Sequence, residues 1–453
     1  YLECDLNILV VYLSQNKAYA LTRTKFYEYE AGYAVKNESN EEYDLIVTNN
    51  HELYFEYSDT NFTKSVHDIF LTHKIIFNNN LEASCNLIGL GSKYDAETDF
   101  STGYKSCKSI YNIYQKQIDL LNIKKIFCIY QTESEILLLN NHLKSNGFSV
   151  NGEKLGQMRA IASTANNSND ERILETIEKL VQKDGKFPSI INQIETTTGR
   201  SGYKILSTLN RKFRSIFGPS EGYVILSFDI KFFEPTILSS LSNDIHALGL
   251  INLGKDIYTE VAMSISGALN DERFNERSFG KMLFNIAING GNEHALISRC
   301  YEMNVTITWS CAAKIFNNFR NMLPVIFQFQ NRIIHMARTY GKMYTKFSRV
   351  LYVDDNVKDS TIVNFVVQGS GADAFKRLLL KVHGLLEHSN ENILFNHYDA
   401  VYIQVPEHGA AKRMAALKEI MEDSLSSDFG NVRFSVAASM RSSWADEDTI
   451  VQV

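Results

Sequence analysis

Tyr223-Val224-Ile225-Leu226-Ser227-Phe228-Asp229 is a short, β-branched apolar run that closes on a carboxylate, the pattern of a buried strand with an acid at its mouth. Five residues on, Glu234 opens the helix-like stretch Pro235-Thr236-Ile237-Leu238-Ser239-Ser240-Leu241-Ser242. A second carboxylate, Asp399, lies within Asn392-Ile393-Leu394-Phe395-Asn396-His397-Tyr398-Asp399-Ala400-Val401-Tyr402-Ile403-Gln404-Val405, two apolar runs around a polar turn, which predicts a β-hairpin. Hard divalent cations take oxygen ligands, and magnesium typically binds one or two carboxylates plus substrate phosphates. Two aspartates converging from different strands therefore predict a metal site, with Asp229 and Asp399 as its protein ligands. Paired ions there would suit in-line phosphoryl displacement.

Between the aspartates, Arg277, Lys281, Asn285 and Asn289 advance by four. Each such step turns about 40° on an α-helix, so the four side chains share one drifting stripe. An arginine and a lysine one turn apart supply a fork and a point charge for a triphosphate. Gly290 and Gly291 should stop the helix as a C-cap. Ahead of the first strand, Arg200, Lys204, Arg211, Lys212 and Arg214 place five cations in fifteen residues. Such a stripe is either a phosphate-backbone contact or a solvated loop.

Composition bounds the rest. The length of 453 residues allows roughly three domains, and 44% hydrophobic residues supply ample cores. Six cysteines without metal-ligand spacing predict reduced thiols in an intracellular compartment, whether a bacterial or host cytoplasm or an organelle. No apolar run reaches membrane length and no signal peptide is visible, which predicts no membrane partner. Tyr1 in place of an initiator methionine predicts a processed or trimmed chain. The net charge of -6 does not exclude nucleic acid, since binding depends on local basic surface. Residues 1 to about 130 alternate strand-like stretches, Asn7 to Tyr12, Tyr43 to Thr48 and Lys74 to Phe77, with turns and helices, as an α/β domain would.

On ordered motifs over residues 130 to 450, the chain resembles the family A, polymerase I-like DNA polymerases. Thr197-Thr198-Gly199-Arg200 resembles the segment that contacts the primer-template, Asp229 to Glu234 the first catalytic motif, and Asp256-Ile257-Tyr258 the entry to the fingers. Arg277, Lys281 and Gly290 match the fingers helix. Gly341-Lys342-Met343-Tyr344-Thr345 matches a Gly-x-x-x-Thr hairpin, and Gln368-Gly369-Ser370-Gly371-Ala372-Asp373 the Gln-Gly-Ser-Ala-Ala-Asp helix. The Asp399 hairpin resembles the last motif, and Phe434-Ser435-Val436 with Trp444 the closing strand.

The fold this implies is α/β and α+β multidomain: a right-hand polymerase of palm, fingers and short thumb, preceded by a ribonuclease H-like exonuclease-type domain. The expected bounds are 1-130 for a degenerate 3′-5′ exonuclease-like domain, 131-198 for a shortened thumb, 199-240 for the first part of the palm, 241-340 for the fingers and 341-453 for the rest of the palm. The resemblance implies template-directed DNA synthesis with two Mg2+ ions, Mn2+ being able to replace them, on Asp229 and Asp399. Arg277, Lys281, Asn285, Asn289, Glu234 and Tyr258 would bind the nucleotide. Arg200, Lys204, Arg211, Arg214, Gln368 and Tyr398 would bind primer-template DNA. The implied partners are primer-template and dNTPs, with a processivity or replication partner for an otherwise monomeric subunit. Gln368 is read as a minor-groove reader or a satisfied buried amide, Asp373 as structural, His397 as a local hydrogen-bonder, and Tyr301, Trp309 and Phe316 to Phe329 as core.

Departures from the family pattern qualify these roles. The last motif reads Tyr398-Asp399-Ala400 in place of His-Asp-Glu, Tyr258 stands for a histidine, and Asn285 and Asn289 stand where an aromatic residue and a tyrosine are usual. Glu234, the residue that crowds a ribose 2′-hydroxyl, normally leans on that tyrosine, so altered sugar selectivity or lower fidelity is expected. The best match to the central exonuclease motif, Asn80-Leu81-Glu82-Ala83-Ser84, has serine in place of the metal-binding aspartate. Glu3 and Asp5 are either relics of the first exonuclease motif or surface acids. A helix is expected from Glu133 to Val150, with one amphipathic helix after the Asn166 loop. The alternatives are a phage-type RNA polymerase, an enzyme copying RNA templates, and a catalytically quiet nucleic-acid-binding subunit.

Overall fold

The structure, a computed structural model, describes residues 8–13, 17–21, 26–30, 45–49, 65–78, 90, 92–165, 167–265, 276–386, 389–430 and 432–445. Glu3, Asp5 and the 80–84 segment lie outside the described residues.

Strands β1 (Ile8–Leu13), β2 (Lys17–Leu21), β3 (Phe26–Glu30), β4 (Leu45–Thr48) and β5 (Ser65–Asp68) form a sheet in the order β3-β2-β1-β4-β5. The first three are antiparallel, whereas β4 and β5 run parallel to β1. Val10, Val11, Ile46, Val47 and Val66 are buried, because α1 (Ile69–Phe77), α2 (Gly103–Ile123) and α3 (Phe127–Ser145) pack with the sheet. This is an α/β layer, as expected of residues 1 to about 130, with one correction. Lys74 to Phe77, read as a strand, is the last turn of α1. The Asp68 carboxylate accepts from the Phe70 and Leu71 N–H groups at 2.8 and 2.9 Å, and this cap starts a helix that the short apolar run alone leaves ambiguous.

Helix α3 begins at Phe127 rather than Glu133 and ends at Ser145; Phe148–Val150 is strand β6 instead of more helix. Gly147 marks the break, since a Cβ there would sit 1.7 Å from the Phe187 carbonyl oxygen. Two helices follow where one was expected, α4 (Gly152–Thr164) and α5 (Ser168–Leu180). Only Leu155 and Ala162 of α4 are buried, so it carries too narrow an apolar stripe to be recognised by period. Beyond them, β7 (Lys186–Phe187) joins β6, and β8 (Ile191–Asn192) pairs with β9 (Gly202–Tyr203). Strand β10 (Phe217–Gly218) closes the β6 sheet on its other side.

The centre of the molecule is β11 (Tyr223–Lys231), followed by α6 (Phe233–Ser242), α7 (Ile245–Asn252), α8 (Ile257–Ile265), α9 (Glu276–Ile288), α10 (Glu293–Glu302), α11 (Trp309–Met322) and α12 (Pro324–Tyr340). The hairpin β12 (Lys342–Tyr344) and β13 (Val350–Tyr352) leads into the long α13 (Asp359–Leu386). Strands β14 (Asn392–His397) and β15 (Ala400–Pro406), helix α14 (Ala410–Asp428) and β16 (Ser435–Arg441) complete an antiparallel sheet, β14-β15-β11-β16. Alternation decides where the first aspartate points. Leu226, Phe228 and Ile230 enter the main core under α6 and α13, while Ile225 packs on the other face with Phe148, Phe217, Phe395 and Trp444. Asp229 shares the second face.

Phe316, Phe319 and Phe329 are buried as expected, but Tyr301 is 75% and Trp309 51% exposed. Leu296 and Cys300 form the buried face of α10; Tyr301, one residue on, is turned about 100° away. Trp309 instead packs at a tilt of 50° against the His294 ring, 4.5 Å between centroids. Among the described residues, no helix is long and apolar enough to cross a membrane.

Candidate active site

Asp229 is paired with Ala400 of β15 and Ala437 of β16. Asp399 lies in the two-residue turn between His397 and Ala400, with Tyr398 at φ +56° supplying the left-handed step. The Ile230 N–H donates to the Asp399 carbonyl at 3.1 Å, which ties the turn to β11 one residue past Asp229. Both carboxylates thus stand at one end of the sheet and line a cavity of about 860 Å³.

The same cavity takes in Arg200, Glu234, Tyr258, Arg277, Lys281, Asn285 and Tyr398. Phe232, in the left-handed region at φ +52°, bends the chain from β11 into α6 and puts Glu234 in the first helical turn. There the Glu234 carboxylate pairs with the Arg200 guanidinium. On the far wall, Arg277 pairs with Asp256, whose other oxygen caps α8 by accepting from the Tyr258 and Thr259 N–H groups at 3.0 and 3.1 Å. Arg277 and Lys281 lie 5.6 and 6.0 Å over the Tyr258 ring. Helix α9 reaches this position because Gly280 has no side chain: a Cβ there would come within 1.9 Å of the Tyr258 carbonyl oxygen. Gly290, at φ +68°, ends α9 as expected, its N–H donating to the Ala287 carbonyl.

The stripe on α9 runs out of the cavity into a neighbouring groove, which Lys281 and Asn285 also line. Asn289 turns its amide onto the Asn285 carbonyl at 2.7 Å and lines a neighbouring groove of about 520 Å³ beside Met282, Ile286 and Met303. Three steps of about 40° have carried it off the cavity face. Lys204 and Arg211 are exposed and outside the cavity lining. Lys212 pairs with Asp170, and Arg214 stacks 4.6 Å over the Trp444 ring, so the basic stretch is not a single row. Gln368 is half-buried on α13. Its neighbour Gly369 lets that helix close on the 198 segment, since a Cβ would sit 2.6 Å from Thr345 and 3.4 Å from the Thr198 oxygen. The His397 ring stacks on Phe395, 5.8 Å between centroids, and its Nε2 is buried without a hydrogen-bond partner. Sequence reasoning missed Asp256 as the partner of Arg277; its N-cap position just before an apolar-periodic run was the available signal.

The sequence model of DNA polymerase family A matches residues 90–446. The chain belongs to DNA polymerase family A. It is 26% identical over 271 residues to the thermostable DNA polymerase I of Thermus filiformis, covering 55% of this chain and 32% of that protein. It is also 26% identical over 266 residues to DNA polymerase I of Lactococcus lactis subsp. cremoris, covering 54% and 30%. The chain thus spans about a third of the length of these curated relatives. In fold it is similar to the POL domain of Pol1 from M. smegmatis, in complex with DNA primer-template and dNTP, with a TM-score of 0.80, 14% identity and coverage of 97% of this chain and 95% of that one.

Electrostatics in this family A chain bear on the metal. Burial pushes the Asp399 carboxyl up to about 6, and repulsion from Asp229 adds to the shift. Burial likewise raises Asp229, against the pull of Lys281, Arg441 and Lys231. Two carboxylates that resist ionising side by side are what a divalent cation relieves. Among the described residues, no group of three or more His, Cys, Asp or Glu gathers as a closed cage. Two carboxylates lining one cavity are a donor set that fits an oxygen-seeking ion completing its shell with substrate phosphates.

Proposed function

We propose that the chain is a template-directed DNA polymerase that adds deoxynucleotides to a primer 3′-hydroxyl. The observation that carries this is the placement of Asp229 and Asp399 at one sheet end, with Arg277 and Lys281 lining the same cavity. The aspartates would hold two Mg2+ ions, replaceable by Mn2+. When bound, such ions supply Lewis-acid activation of a hydroxyl and neutralise charge on the transferring phosphate. Lys281 and Arg277 grip the triphosphate, and Tyr258 and Asn285 face the nucleotide. Asn289 shapes the site through its bond to the Asn285 carbonyl. Glu234, held by Arg200, checks the sugar, while Arg200, Lys204, Arg211, Arg214, Gln368 and Tyr398 contact the primer-template. Primer extension on DNA and RNA templates tests this reading. Equal extension on RNA would favour an RNA-copying enzyme, and DNA binding with no extension would leave a quiet binding subunit.

The proposed division is 1-130 exonuclease-like, 131-198 thumb, 199-240 and 341-453 palm and 241-340 fingers, the first boundary falling within α3. Low processivity, relieved by a partner, is expected of the two-helix thumb, and the chain is read as an intracellular, monomeric subunit. Serine at position 84 supports a first domain without proofreading. Release of nucleotides from a single-stranded 3′ end, lost on changing Asp5, would overturn that.

Sugar selectivity should be relaxed, because Glu234 leans on Arg200 rather than on an aromatic of α9. Steady-state incorporation of deoxy-, dideoxy- and ribonucleotides checks this, and discrimination equal to that of the Thermus filiformis enzyme under the same conditions would refute it.

Asp399 also predicts a pH dependence. A carboxyl whose folded pKa is raised takes up protons on folding, so its contribution to stability falls as pH rises from about 4 through about 6. In EDTA at pH 7.5, Asp399→Asn should therefore be more stable than the wild type by on the order of 1–2 kcal/mol after allowance for solvent screening. At about pH 3, below both the unfolded and the folded values, the two should melt together. Equal denaturant midpoints at both pH values would contradict the shift.

A further inference from the structure

Behind the cavity wall, four charges are packed almost without exposure: Glu133 on α3, Arg349 just before β13, and Asp373 and Lys376 on α13, at 0, 1, 0 and 3%. Lys376 Nζ donates to both Glu133 oxygens at 2.7 and 2.9 Å and to the Gln193 carbonyl at 3.0 Å. Arg349 donates through Nε and Nη2 to Asp373 at 2.9 and 2.7 Å, and Nη2 also reaches Glu133. The Thr345 hydroxyl donates to the remaining Asp373 oxygen at 2.8 Å. Two acids and two bases balance. Burying four ions is nonetheless costly, and well-packed apolar groups often serve stability as well. The cluster therefore calls for a geometric reason.

That reason lies at Gly199. A Cβ there would come within 2.4 Å of the Arg349 Cζ and Nε atoms, and the residue sits at φ +82°. The flat guanidinium is thus the surface on which the 196–200 turn rests. The turn is closed by the Gly199 N–H donating to the Thr196 carbonyl at 3.0 Å and the Arg200 N–H to the Thr196 hydroxyl at 3.2 Å. Its outer legs meet the same cluster: Ser201 Oγ donates to the Gln193 carbonyl at 2.9 Å, and Gln193 Nε2 donates to Glu133 Oε2 at 2.7 Å. Arg200, the next residue after Gly199, is the one that pairs with Glu234 in the cavity. A lysine at 349 would keep the charge and lose the planar fork.

We propose that Arg349, clamped between Glu133 and Asp373, is a positioning residue that sets Arg200 against Glu234. Glu133 is itself held from the N-terminal body: one turn earlier on α3, the Tyr130 hydroxyl bonds His67 of β5 at 2.8 Å. The first domain thereby braces the polymerase cavity.

The activity arm of the test rests on the polymerase reading; the exchange arm does not. Amide hydrogen exchange of residues 196–201 in the DNA-free Arg349→Lys protein should quicken by about tenfold, and primer-extension kcat/KM should fall about tenfold. In an Arg200→Ala background the same change should cost less than about twofold. Unchanged exchange, or an equal loss in both backgrounds, overturns the proposal. If Arg349→Lys does not fold, the charge-neutral pair Glu133→Gln with Lys376→Gln, which leaves the Arg349–Asp373 contact intact, takes its place with the same expectations. A wild-type chain that extends no primer sinks the polymerase reading, and the exchange result then decides the positioning role by itself.

Discussion

Asp399→Ala should abolish primer extension, with kcat falling about 10³-fold or more, while primer-template affinity stays within a few-fold. The fold has little at stake, because the turn is held by the Asp399 backbone carbonyl, which accepts from Ile230, and alanine keeps that group. What is lost is one of two carboxylates lining the cavity, leaving Asp229 alone to oppose Lys281 and Arg277. DNA affinity should hold or tighten slightly, since a negative charge leaves a surface that faces phosphates. Rapid-quench extension beside an anisotropy titration reads both quantities. Extension within tenfold of the wild type would remove Asp399 from the chemistry, and with it the two-carboxylate site.

Glu133→Ala should destabilise the protein by about 3–5 kcal/mol, the range for a buried ion pair stripped of one partner. The substitution leaves Lys376 with no carboxylate and Arg349 with Asp373 alone, all at 4% side-chain exposure or less. Burial by itself would push the Glu133 carboxyl up, but the Lys376 ammonium and Arg349 guanidinium hold it below the usual carboxylate range. Its stabilisation is therefore present at neutral pH and lost as pH falls through the depressed value. An exposed pair provides the contrast. Arg299 and Glu302 are 61 and 55% exposed, and Glu302→Ala should cost under about 1 kcal/mol. Denaturant midpoints measure both; a Glu133→Ala loss as small as that of Glu302→Ala would mean the buried cluster reorganises freely.

Much of the site is legible in the chain because it is built from local patterns. The β-branched apolar run ending at Asp229, the hairpin around Asp399, the four-residue spacing from Arg277 to Asn285 and the glycine stop at 290 each depend on neighbours within a few residues, and each appears in the fold. Short apolar runs are where such patterns fail: Lys74 to Phe77 reads equally as strand or helix until the Asp68 cap is seen. Helix α4 went unread because almost all of it faces water.

The sequence by itself determined the elements that carry the acids and cations, since backbone periodicity and turn chemistry act over one or two helical turns. Only the tertiary structure decided the partners. Arg200 finds Glu234 across 34 residues, Arg277 finds Asp256 across 21, and Arg349 finds Glu133 across 216. Whether a charge is solvated or clamped depends on which surfaces the fold brings together, and no local spacing encodes that.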